Sequence, residues 1–462
     1  MLQCATLKFD ITPSATTPLT GDVYRRRYGE KVHSPLYCRM LLLDDGSKRL
    51  CIVACDVTII TDEPADRIRK ALASITGSVD NVMVHATQTH NAPSLGSDFL
   101  LDKSIPLPPE AGFLRGTPEC YVDMVVEKVI ENARKLSPAL KPVKMFSGRA
   151  VEGRYSFNRR GVFMDNGIFM PGNGWRFGHP DEYMRGIDGP IDPEVAVIGF
   201  CDENNRTVAM LLHHTCHPVC TFPQNMISSD WPGAWCSEVE KLLPEGATAI
   251  TLNGCCGNIN PWDPYDHEPI SDCAEMSAAL SDAVRRVIER NGGELKEGFI
   301  DADVKTVELD FRKPEPEEIG QRLEYYKANP DVVWKEPGEI AELQWVFAAN
   351  NTGLLNYMER KKKFRYTLQL FRIGDCAIMG MPGEPFVEAQ LKLKQVSPAA
   401  VTFCVHNINQ YVGYIPVPSA FEYPAGRRGH EANFSVWSKL ERNALNIITA
   451  TAEDLLAKNF KN

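Results

Sequence analysis

The chain has 462 residues, of which 44% are hydrophobic and 24% charged, a composition typical of globular proteins that bury a large core. It excludes disordered, collagen-like and small disulfide-framework proteins. The net charge is −10, and binding to nucleic-acid phosphates needs a basic face. We therefore expect no nucleic-acid partner.

The sequence also gives no sign of a membrane segment or of export. The longest apolar stretch, residues 50–60, contains Asp56 and is shorter than the roughly 18 residues of a membrane span. The N-terminus has no basic segment followed by an apolar one. The 14 cysteines include no CxxC pair and are interpreted as reduced, buried thiols. We expect a cytoplasmic protein without a membrane partner, and a homo-oligomer remains open.

The first third of the chain predicts a hairpin followed by helices and a further strand. Alternating or continuous apolar runs indicate strands, and a 3.6-residue period indicates helices. The turn Asp44-Asp45-Gly46 joins two of the strands into the hairpin. The predicted strands are 5–10, 39–43, 50–55 and 81–85, and the predicted helices are 63–75 and 119–136.

The remaining two thirds continue the mixed pattern, without a detectable repeat in the sequence. Strands are predicted at 195–201, 207–213, 247–252, 364–370, 376–381 and 400–405, and helices at 273–290, from Pro385, and at 435–458. Hairpins together with helical crossovers predict an α/β (mixed α+β) fold, a large single domain over residues 1–462 with mixed β-sheets flanked by helices. Segment 152–190 has no clear period and is predicted to be an irregular loop or lid insertion.

Polar residues collect just after the predicted strands, where open α/β sheets bind ligands. Five segments follow this rule, and they contain Gln88, His90 and Asn91; His213, His214 and His217; Asn253, Asn258 and Asn260; Glu384; and Asn409 and Tyr414. This convergence predicts a site for a small-molecule substrate.

Imidazole together with carboxylate is the ligand set of a catalytic divalent ion, zinc first. His217, fixed by Pro218, and Glu384, between a glycine and a proline, are the main candidates. A structural interpretation stays open for each: His90 as a turn histidine, Glu384 as a carboxylate at a helix start, and Tyr414 as a packing residue. Arg159 or Arg160 could bind an anionic or developing oxyanion charge.

At this point the chain resembles the catalytic domain of the neutral/alkaline non-lysosomal ceramidases. The matching motifs occur in the same order from about residue 5 to 435, and they are Asp10-Ile11-Thr12-Pro13, Leu19-Thr20-Gly21 with Arg25, the segment 87–93, Asn158-Arg159, His217-Pro218, 227–230 with Gly233, 257–261, Gly383-Glu384-Pro385 and 409–414. The resemblance implies a zinc-dependent amidase with a serine nucleophile and an arginine that steadies the carbonyl oxygen.

Carried over residue by residue, the resemblance implies that His217, Glu384 and Tyr414 are zinc ligands and that Arg159 is the oxyanion arginine. Two positions depart from the family. Its His-Thr-His pattern reads Gln88-Thr89-His90 here, and its serine before a proline is replaced by Asn260. A further pair, Tyr-Glu in the family, reads His430-Glu431.

These observations predict a ceramidase-like, zinc-dependent hydrolase that cleaves an amide or related bond of a small polar substrate rather than ceramide. The predicted metal ligands are His217, Glu384, His90 and Tyr414, and the predicted catalytic residues are Arg159, His90, Asn260 and Tyr414. The predicted substrate-binding residues are Gln88, Gly21, Arg25, Asn158, Arg160 and Asn258. Two alternatives remain: a binding protein that has lost hydrolysis, and a metal-dependent lyase or isomerase acting on a sugar-like ligand.

Overall fold

The computed structural model describes residues 1–170, 184–265 and 272–460. Its first sheet is built from the N-terminal hairpin and a crossover. The strands are β1 (Gln3–Asp10), β2 (Tyr37–Asp44), β3 (Arg49–Cys55) and β4 (Val82–Ala86), with the short strand Lys141–Pro142 beside β1. Strands β1, β2 and β3 are antiparallel, and β4 returns parallel to β3. Helix α1 (Asp62–Thr76) makes the crossover, and α2 (Glu119–Ala133) follows β4.

The second sheet repeats this topology. Its strands are β5 (Lys144–Val151), β6 (Glu194–Cys201), β7 (Thr207–His213) and β8 (Thr248–Thr251). The first three are antiparallel, and β8 lies parallel to β7. Helix α3 (Asp230–Glu240) connects β7 to β8, and α4 (Ala274–Asn291) follows.

The third sheet has the same strand order and carries an insertion. Its strands are β9 (Ile300–Leu309), β10 (Phe364–Ile373), β11 (Cys376–Gly380) and β12 (Val401–Val405), with β12 alone parallel to its neighbour. Helices α5 (Pro316–Ala328) and α6 (Leu343–Arg360) are inserted between β9 and β10. Helix α7 (Val387–Val396) makes the crossover, and α8 (Ala444–Asn459) follows β12. The chain is therefore three structural units of one topology.

The three sheets share one interior, and each covers its outer face with its own pair of helices. Because side chains alternate across a strand, Leu41 and Leu43 of β2 enter an inner core with residues of all three sheets. Met40 and Leu42 pack outward in the cluster that holds α1 and α2. Equivalent outer clusters join the second sheet to α3 and α4 and the third to α7 and α8. Sheets that are buried on both faces explain the nearly continuous apolar strands.

Short strand pairs complete the described structure. They are Pro18–Leu19 with Arg27–Tyr28, Lys31–Val32 with Met226–Ile227, Phe157–Asn158 with Ile259–Asn260, Trp334–Glu336 with Ile340–Ala341, and Glu384–Pro385 with Tyr414–Ile415, together with a small sheet of Gly161–Phe163, Ile168–Phe169 and Met184–Ile187. Over the ranges that the structure describes, no helix has the length and apolar character needed to cross a membrane.

The predicted mixed α/β class is confirmed, and several element predictions need correction. The C-terminal helix begins at Ala444, nine residues later than predicted, and β5, β9, α3, α5 and α6 were not predicted. The described parts of segment 152–190 contain short strands, whereas its residues 171–183 lie outside the described residues. Its role as a lid therefore stays a prediction.

Candidate functional site

The carboxyl ends of the three sheets meet at one place. The amide of Ala86, at the end of β4, donates to the carbonyl of Asn407 at 3.1 Å, and the amide of His406 donates to Asn253 at 3.2 Å. These bonds tie β4 to β12 and β12 to β8, one strand from each unit. Side chains that follow these strands are therefore delivered to a shared region.

The central contact of this region joins the second unit to the third. Atom Nε2 of His217, which follows β7, lies 3.7 Å from Oε2 of Glu384, which follows β11. Both atoms are buried, and neither has a hydrogen-bond partner among the described residues. The Nδ1 atom of His217 contacts the carbonyl of Cys256 at 3.1 Å. A carbonyl only accepts, so Nδ1 carries the proton and Nε2 presents a lone pair toward Glu384.

Burial determines the charge state of this pair. Burial and the Arg159 guanidinium hold the pKa of His217 well below its usual range, so the imidazole is neutral. Burial raises the pKa of Glu384 to about 7, although Arg159 and the side chains of Gln88 and Tyr414 favour its charged form. A buried carboxylate with an unpartnered oxygen gains from binding a proton or a cation.

His90 lies beside His217, with ring centroids 5.1 Å apart. Its Nδ1 contacts the carbonyl of Gly21 at 3.2 Å, so its Nε2 also carries the lone pair. Gly21 has a φ of +96°, and a Cβ there would lie 2.7 Å from Nδ1 of His90. Glycine at position 21 therefore permits the close approach of the imidazole.

Arg159 is held in place by a buried ion-pair network. Its Nε donates to Glu431 at 2.7 Å and its Nη1 to Asn260 at 3.2 Å. The other oxygen of Glu431 accepts from Arg160 at 2.9 Å. Burial would raise the pKa of Glu431, but the two guanidinium groups hold it at about 2. Nη2 of Arg159 is buried and has no hydrogen-bond partner in the described part of the chain, and the guanidinium lies 5.2 Å from the ring centroid of Tyr414.

These groups lie at or beneath the polar end of a cavity of ≈ 370 Å³ whose walls are largely aromatic. The polar end includes His90, His217, Arg159, Asn260 and Tyr414. The walls include Tyr24, Phe169, Phe222, Trp262, Phe347 and Trp437. The cavity can hold a ligand of modest size with both a polar and an apolar part.

The donor set fits a divalent metal at the His217–Glu384 pair. Two Nε2 lone pairs, one carboxylate oxygen and the Tyr414 hydroxyl are the types of ligand that zinc accepts. However, the ligand atoms of His90, His217 and Glu384 do not all lie within 4.8 Å of one another. Among the described residues the one group that meets this limit is Cys220, Asp230 and Cys273.

The cysteine-containing group is a weaker metal candidate. The carboxylate of Asp230 accepts hydrogen bonds from the amides of Cys220, Thr221 and Trp231 and from the Thr221 hydroxyl. Its oxygens are therefore already satisfied within the local loop. The hydrogen bond with Cys220 and burial raise the pKa of Cys273 well above its usual range. The hydrogen bond with Cys273 lowers the pKa of Cys220, but burial and Asp230 raise it to about 11, so both thiols resist the thiolate form that binds metal.

The structure brings some of the predicted site residues to the cavity and places others behind it. His90, Arg159, His217, Asn260, Tyr414 and Gly21 line the cavity, and Gln88 and Glu384 lie beneath its polar end. Arg25 pairs with Asp22 at 2.8 Å, and Arg160 binds Glu431 and Asp188. Neither lines the cavity.

Asn158 and Asn258 hold backbone instead of facing the cavity. Asn158 donates to the carbonyl of Pro190 and accepts from the amide of Arg160. Asn258 accepts from the amide of Val387 and donates to Glu388, and in this way it fixes the start of α7.

Sequence reasoning did not assign a role to the segment before α8. Glu431 orients Arg159, and His430 lines the cavity between Tyr414 and Trp437, with ring centroids 5.4 Å and 5.2 Å away. The adjacent His-Glu pair was a signal for these residues. Lys439 is also buried and donates to the carbonyls of Val412 and Val436, which joins this segment to the Tyr414 loop.

Two of the curated proteins that are similar to this chain are neutral ceramidases. The neutral ceramidase of Pseudomonas aeruginosa is 22% identical over 453 residues, which covers 86% of this chain and 64% of that protein. Neutral ceramidase A of Dictyostelium discoideum is 24% identical over 240 residues, or 50% of this chain and 30% of that protein. The chain thus spans less than two thirds of the length of either relative. No family model matches the chain.

Solved structures show the same fold. The crystal structure of neutral ceramidase from P. aeruginosa superposes with a TM-score of 0.71 at 17% identity, covering 99% of this chain and 74% of the other. A ceramidase complexed with C2 gives a TM-score of 0.70 at 16% identity, covering 99% of this chain and 75% of that structure. The chain is therefore similar to neutral ceramidases in sequence and has the fold of these solved structures.

Proposed function

We propose that this protein is a hydrolase that cleaves an amide or related acyl bond of a small polar substrate. The single observation that carries the proposal is the His217–Glu384 pair, two unpartnered polar atoms 3.7 Å apart at the polar end of the cavity. The relatives named as neutral ceramidases support the type of bond. Asn260 cannot act as a nucleophile in the way that a serine does, which argues for attack by water.

The proposal includes a zinc ion held by His217 and Glu384, with Tyr414 and His90 as further ligands and Gln88 as a weak oxygen donor. Bound zinc would lower the pKa of a water molecule and polarise a substrate carbonyl. Gln88 occupies the position at which the resemblance has a histidine, and an amide oxygen is a weaker zinc ligand than imidazole. We therefore expect moderate zinc affinity.

The remaining steps use groups of this chain. The free Nη2 of Arg159 donates to the carbonyl oxygen as negative charge develops there. The Nε2 lone pair of His90 can bind either the metal or a proton; where His217, Glu384 and Tyr414 hold the metal without it, it accepts a proton from the attacking water and returns it to the leaving group. Asn260, fixed by Arg159, orients the substrate. The aromatic walls exclude bulk water and strengthen these interactions.

Metal analysis and turnover test this proposal together. Purified protein loaded with zinc is analysed by mass spectrometry and assayed on a panel of small amides and esters, with and without chelator. We expect about one zinc per chain, and chelator-sensitive hydrolysis. His217→Ala should lose both, whereas His33→Ala, an exposed histidine outside the cavity, should lose neither. Hydrolysis that is unaffected by chelator and by His217→Ala contradicts the metal-dependent proposal.

A second candidate is a ligand-binding protein without hydrolytic activity. It is favoured by one observation: the amide Asn260 stands where the resemblance has a nucleophilic serine, and its oxygen accepts from Arg159. The same panel decides between the two candidates. Saturable binding of amides without any turnover, in protein that contains zinc, supports the binding protein and contradicts the hydrolase.

A further inference from the structure

The outer wall of the cavity comes from the α5–α6 insertion of the third unit. Arg322 of α5 and Leu343 and Phe347 of α6 line the cavity. The insertion has no equivalent between the first two strands of the first two sheets, where no α-helix lies within the described residues. It adds a charged side chain to an otherwise largely aromatic wall.

Arg322 is half-buried and has few partners. Its Nη1 donates to Asn351 at 3.2 Å, and its guanidinium lies 5.0 Å from the ring centroid of Phe347. No carboxylate of the described residues lies within 4.0 Å of it. Burial lowers its pKa, and arginine nevertheless keeps its charge at neutral pH.

Other buried arginines in this chain have carboxylate partners. Arg39 pairs with Asp56 at 2.8 Å, Arg312 with Glu318 at 3.4 Å, and Arg428 with Glu315 at 2.9 Å. Arg27, which has no carboxylate within 4.0 Å among the described residues, donates instead to three backbone carbonyls. Among the described residues Arg322 has a single hydrogen bond, to the side-chain oxygen of Asn351, and no carboxylate partner of its own.

The acidic groups nearest Arg322 are already engaged. Glu318, one turn earlier on α5, accepts from Arg312, Arg428 and the amide of Phe434. Asp22, which lines the same cavity, pairs with Arg25. Glu431 is shared by two other arginines. Glu318 attracts Arg322 electrostatically, but it is shared with Arg312 and Arg428, so Arg322 has no carboxylate of its own within 4.0 Å among the described residues.

We propose that Arg322 is the recognition residue for an oxyanion group of the substrate, such as a carboxylate or a sulfate. The guanidinium presents several N–H donors in a planar fork that matches such a group. This inference rests on the proposed function, since it assigns the substrate of the same cavity. It places the anionic end of the substrate on the α5–α6 wall and the scissile bond near Arg159.

The aromatic walls define the part of the substrate between these two ends. Phe347 and Trp437 lie with ring centroids 6.0 Å apart, and Trp437 also stacks on His430. The two rings contact each other and form a continuous apolar wall, on which an apolar or aromatic group packs without needing hydrogen bonds. The substrate class is therefore an amide with an apolar body that carries an oxyanion at the end remote from the scissile bond.

Binding is measured first, because it does not depend on turnover. Isothermal titration of the zinc-loaded protein uses 4-phenylbutyrate, 3-phenylpropyl sulfate and the neutral 4-phenylbutyramide. We expect at least one anion to bind roughly tenfold more tightly than the neutral amide, since a charge-assisted hydrogen bond contributes about that factor or more. Arg322→Gln should abolish this preference and Arg322→Lys should keep part of it. Arg206→Gln, in the exposed β6–β7 turn, serves as the control. The tighter anion identifies the oxyanion class.

Hydrolysis is then compared for adipic acid mono-4-nitroanilide and its neutral terminal carboxamide. Wild type should prefer the carboxylate through a lower KM, and Arg322→Gln should raise that KM about tenfold and so remove the preference for the carboxylate over the carboxamide. The control Arg206→Gln should leave this preference as it is in wild type. Equal binding of anions and neutral amide, or a preference that survives Arg322→Gln, overturns the oxyanion site even if both anilides are hydrolysed. Arg322-dependent anion binding without any turnover keeps the site and contradicts the hydrolase.

Discussion

Glu384→Gln should make the metal-free protein more stable at alkaline pH, although the same residue is a proposed zinc ligand. The side chain is buried, with one oxygen unpartnered, and burial raises its pKa from 4.5 to about 7. A shift of this size corresponds to about 3 kcal/mol. The charged carboxylate therefore costs the folded state stability, and the isosteric amide removes that cost.

The sign of the pH dependence follows from the raised pKa. Between pH 4.5 and about 7 the folded state binds the Glu384 proton more tightly than the unfolded state, so the stability of the wild type falls as pH rises. Above about pH 7 the full penalty is present, and below pH 4.5 it is absent. Wild type and Glu384→Gln should therefore be equally stable at pH 4.5 and differ most at pH 8.

Thermal unfolding in the presence of a chelator measures this difference. At roughly 2 cal/mol/K per residue, the unfolding entropy of a 462-residue chain is about 1 kcal/mol/K. The penalty of about 3 kcal/mol then corresponds to a Tm that is roughly 3 °C higher for Glu384→Gln at pH 8. Glu203→Gln, an exposed glutamate, is the matched control and should leave Tm unchanged.

Added zinc should reverse the order of the two proteins. A ligand present at a thousand times its Kd stabilises the folded state by about 4.1 kcal/mol, which exceeds the penalty of about 3 kcal/mol, and only the wild type retains the carboxylate that binds it. A Glu384→Gln variant that is no more stable than wild type at pH 8 in chelator would refute the burial argument. An unchanged zinc response in the variant would remove Glu384 from the ligand set.

Three further predictions concern neighbouring residues. Gln88→His should raise zinc affinity roughly tenfold or more, because imidazole is a stronger ligand than an amide oxygen. Titration against a competing chelator measures the zinc affinity. An unchanged affinity places residue 88 outside the metal site. Gly21→Ala should displace His90 and destabilise the fold by about 1–3 kcal/mol. We expect a lower Tm and a lower kcat. If neither value changes, the close approach of His90 to residue 21 is not what requires glycine there. Glu431→Gln should cost about 3–5 kcal/mol at neutral pH because it leaves the buried Arg159 without its carboxylate. In wild type, the stability that the Arg159–Glu431 pair contributes should be lost as pH falls from 4.5 toward 2, since the pKa of Glu431 is depressed to about 2. A Tm of Glu431→Gln equal to that of wild type at pH 7 would contradict the pairing.

The local pattern of apolar residues and turns was sufficient to predict the strands that are buried within the sheets. The strand alternation on both sides of Asp44-Asp45-Gly46 predicts the β2–β3 hairpin, and β7, β11 and β12 are predicted to within one or two residues. These strands are buried on both faces, so their apolar content is high and their ends are marked by turns. The same pattern predicted the strand ends from which His217 and Glu384 project.

Elements that depend on distant partners were not predictable in this way. Helix α6 contains Asn350 and Asn351, which disfavour a helix interior, but their side chains donate to the carbonyls of Leu100 and Phe434. Residues before Ala444 have an apolar helical period and yet are not helical. Carbonyls in that segment accept from other parts of the chain, as in the bond from the amide of Tyr414 to Trp437 at 2.7 Å.

The repeat of three units explains which site residues could be foreseen. His217 and Glu384 follow the third strand of the second and third sheets, and His90, Asn260 and Tyr414 follow the fourth strand of each sheet in turn. These positions are equivalent in topology, although their sequences have diverged. A rule about strand ends finds them, whereas no such rule finds Arg322 or Glu431.

The groups proposed to carry out the reaction and the groups proposed to select the substrate therefore come from different parts of the chain. The strand ends of the repeated sheets supply the groups that would bind metal and move protons, and their positions are fixed by hydrogen bonds between the sheets. The α5–α6 insertion supplies the outer wall and can change without disturbing those bonds. Substitutions at the strand ends should then act mainly on zinc content and kcat, whereas Arg322 and Phe347 should act mainly on KM and on the choice of substrate. If Phe347→Ala lowers kcat as strongly as it raises KM across substrates, this separation of roles fails.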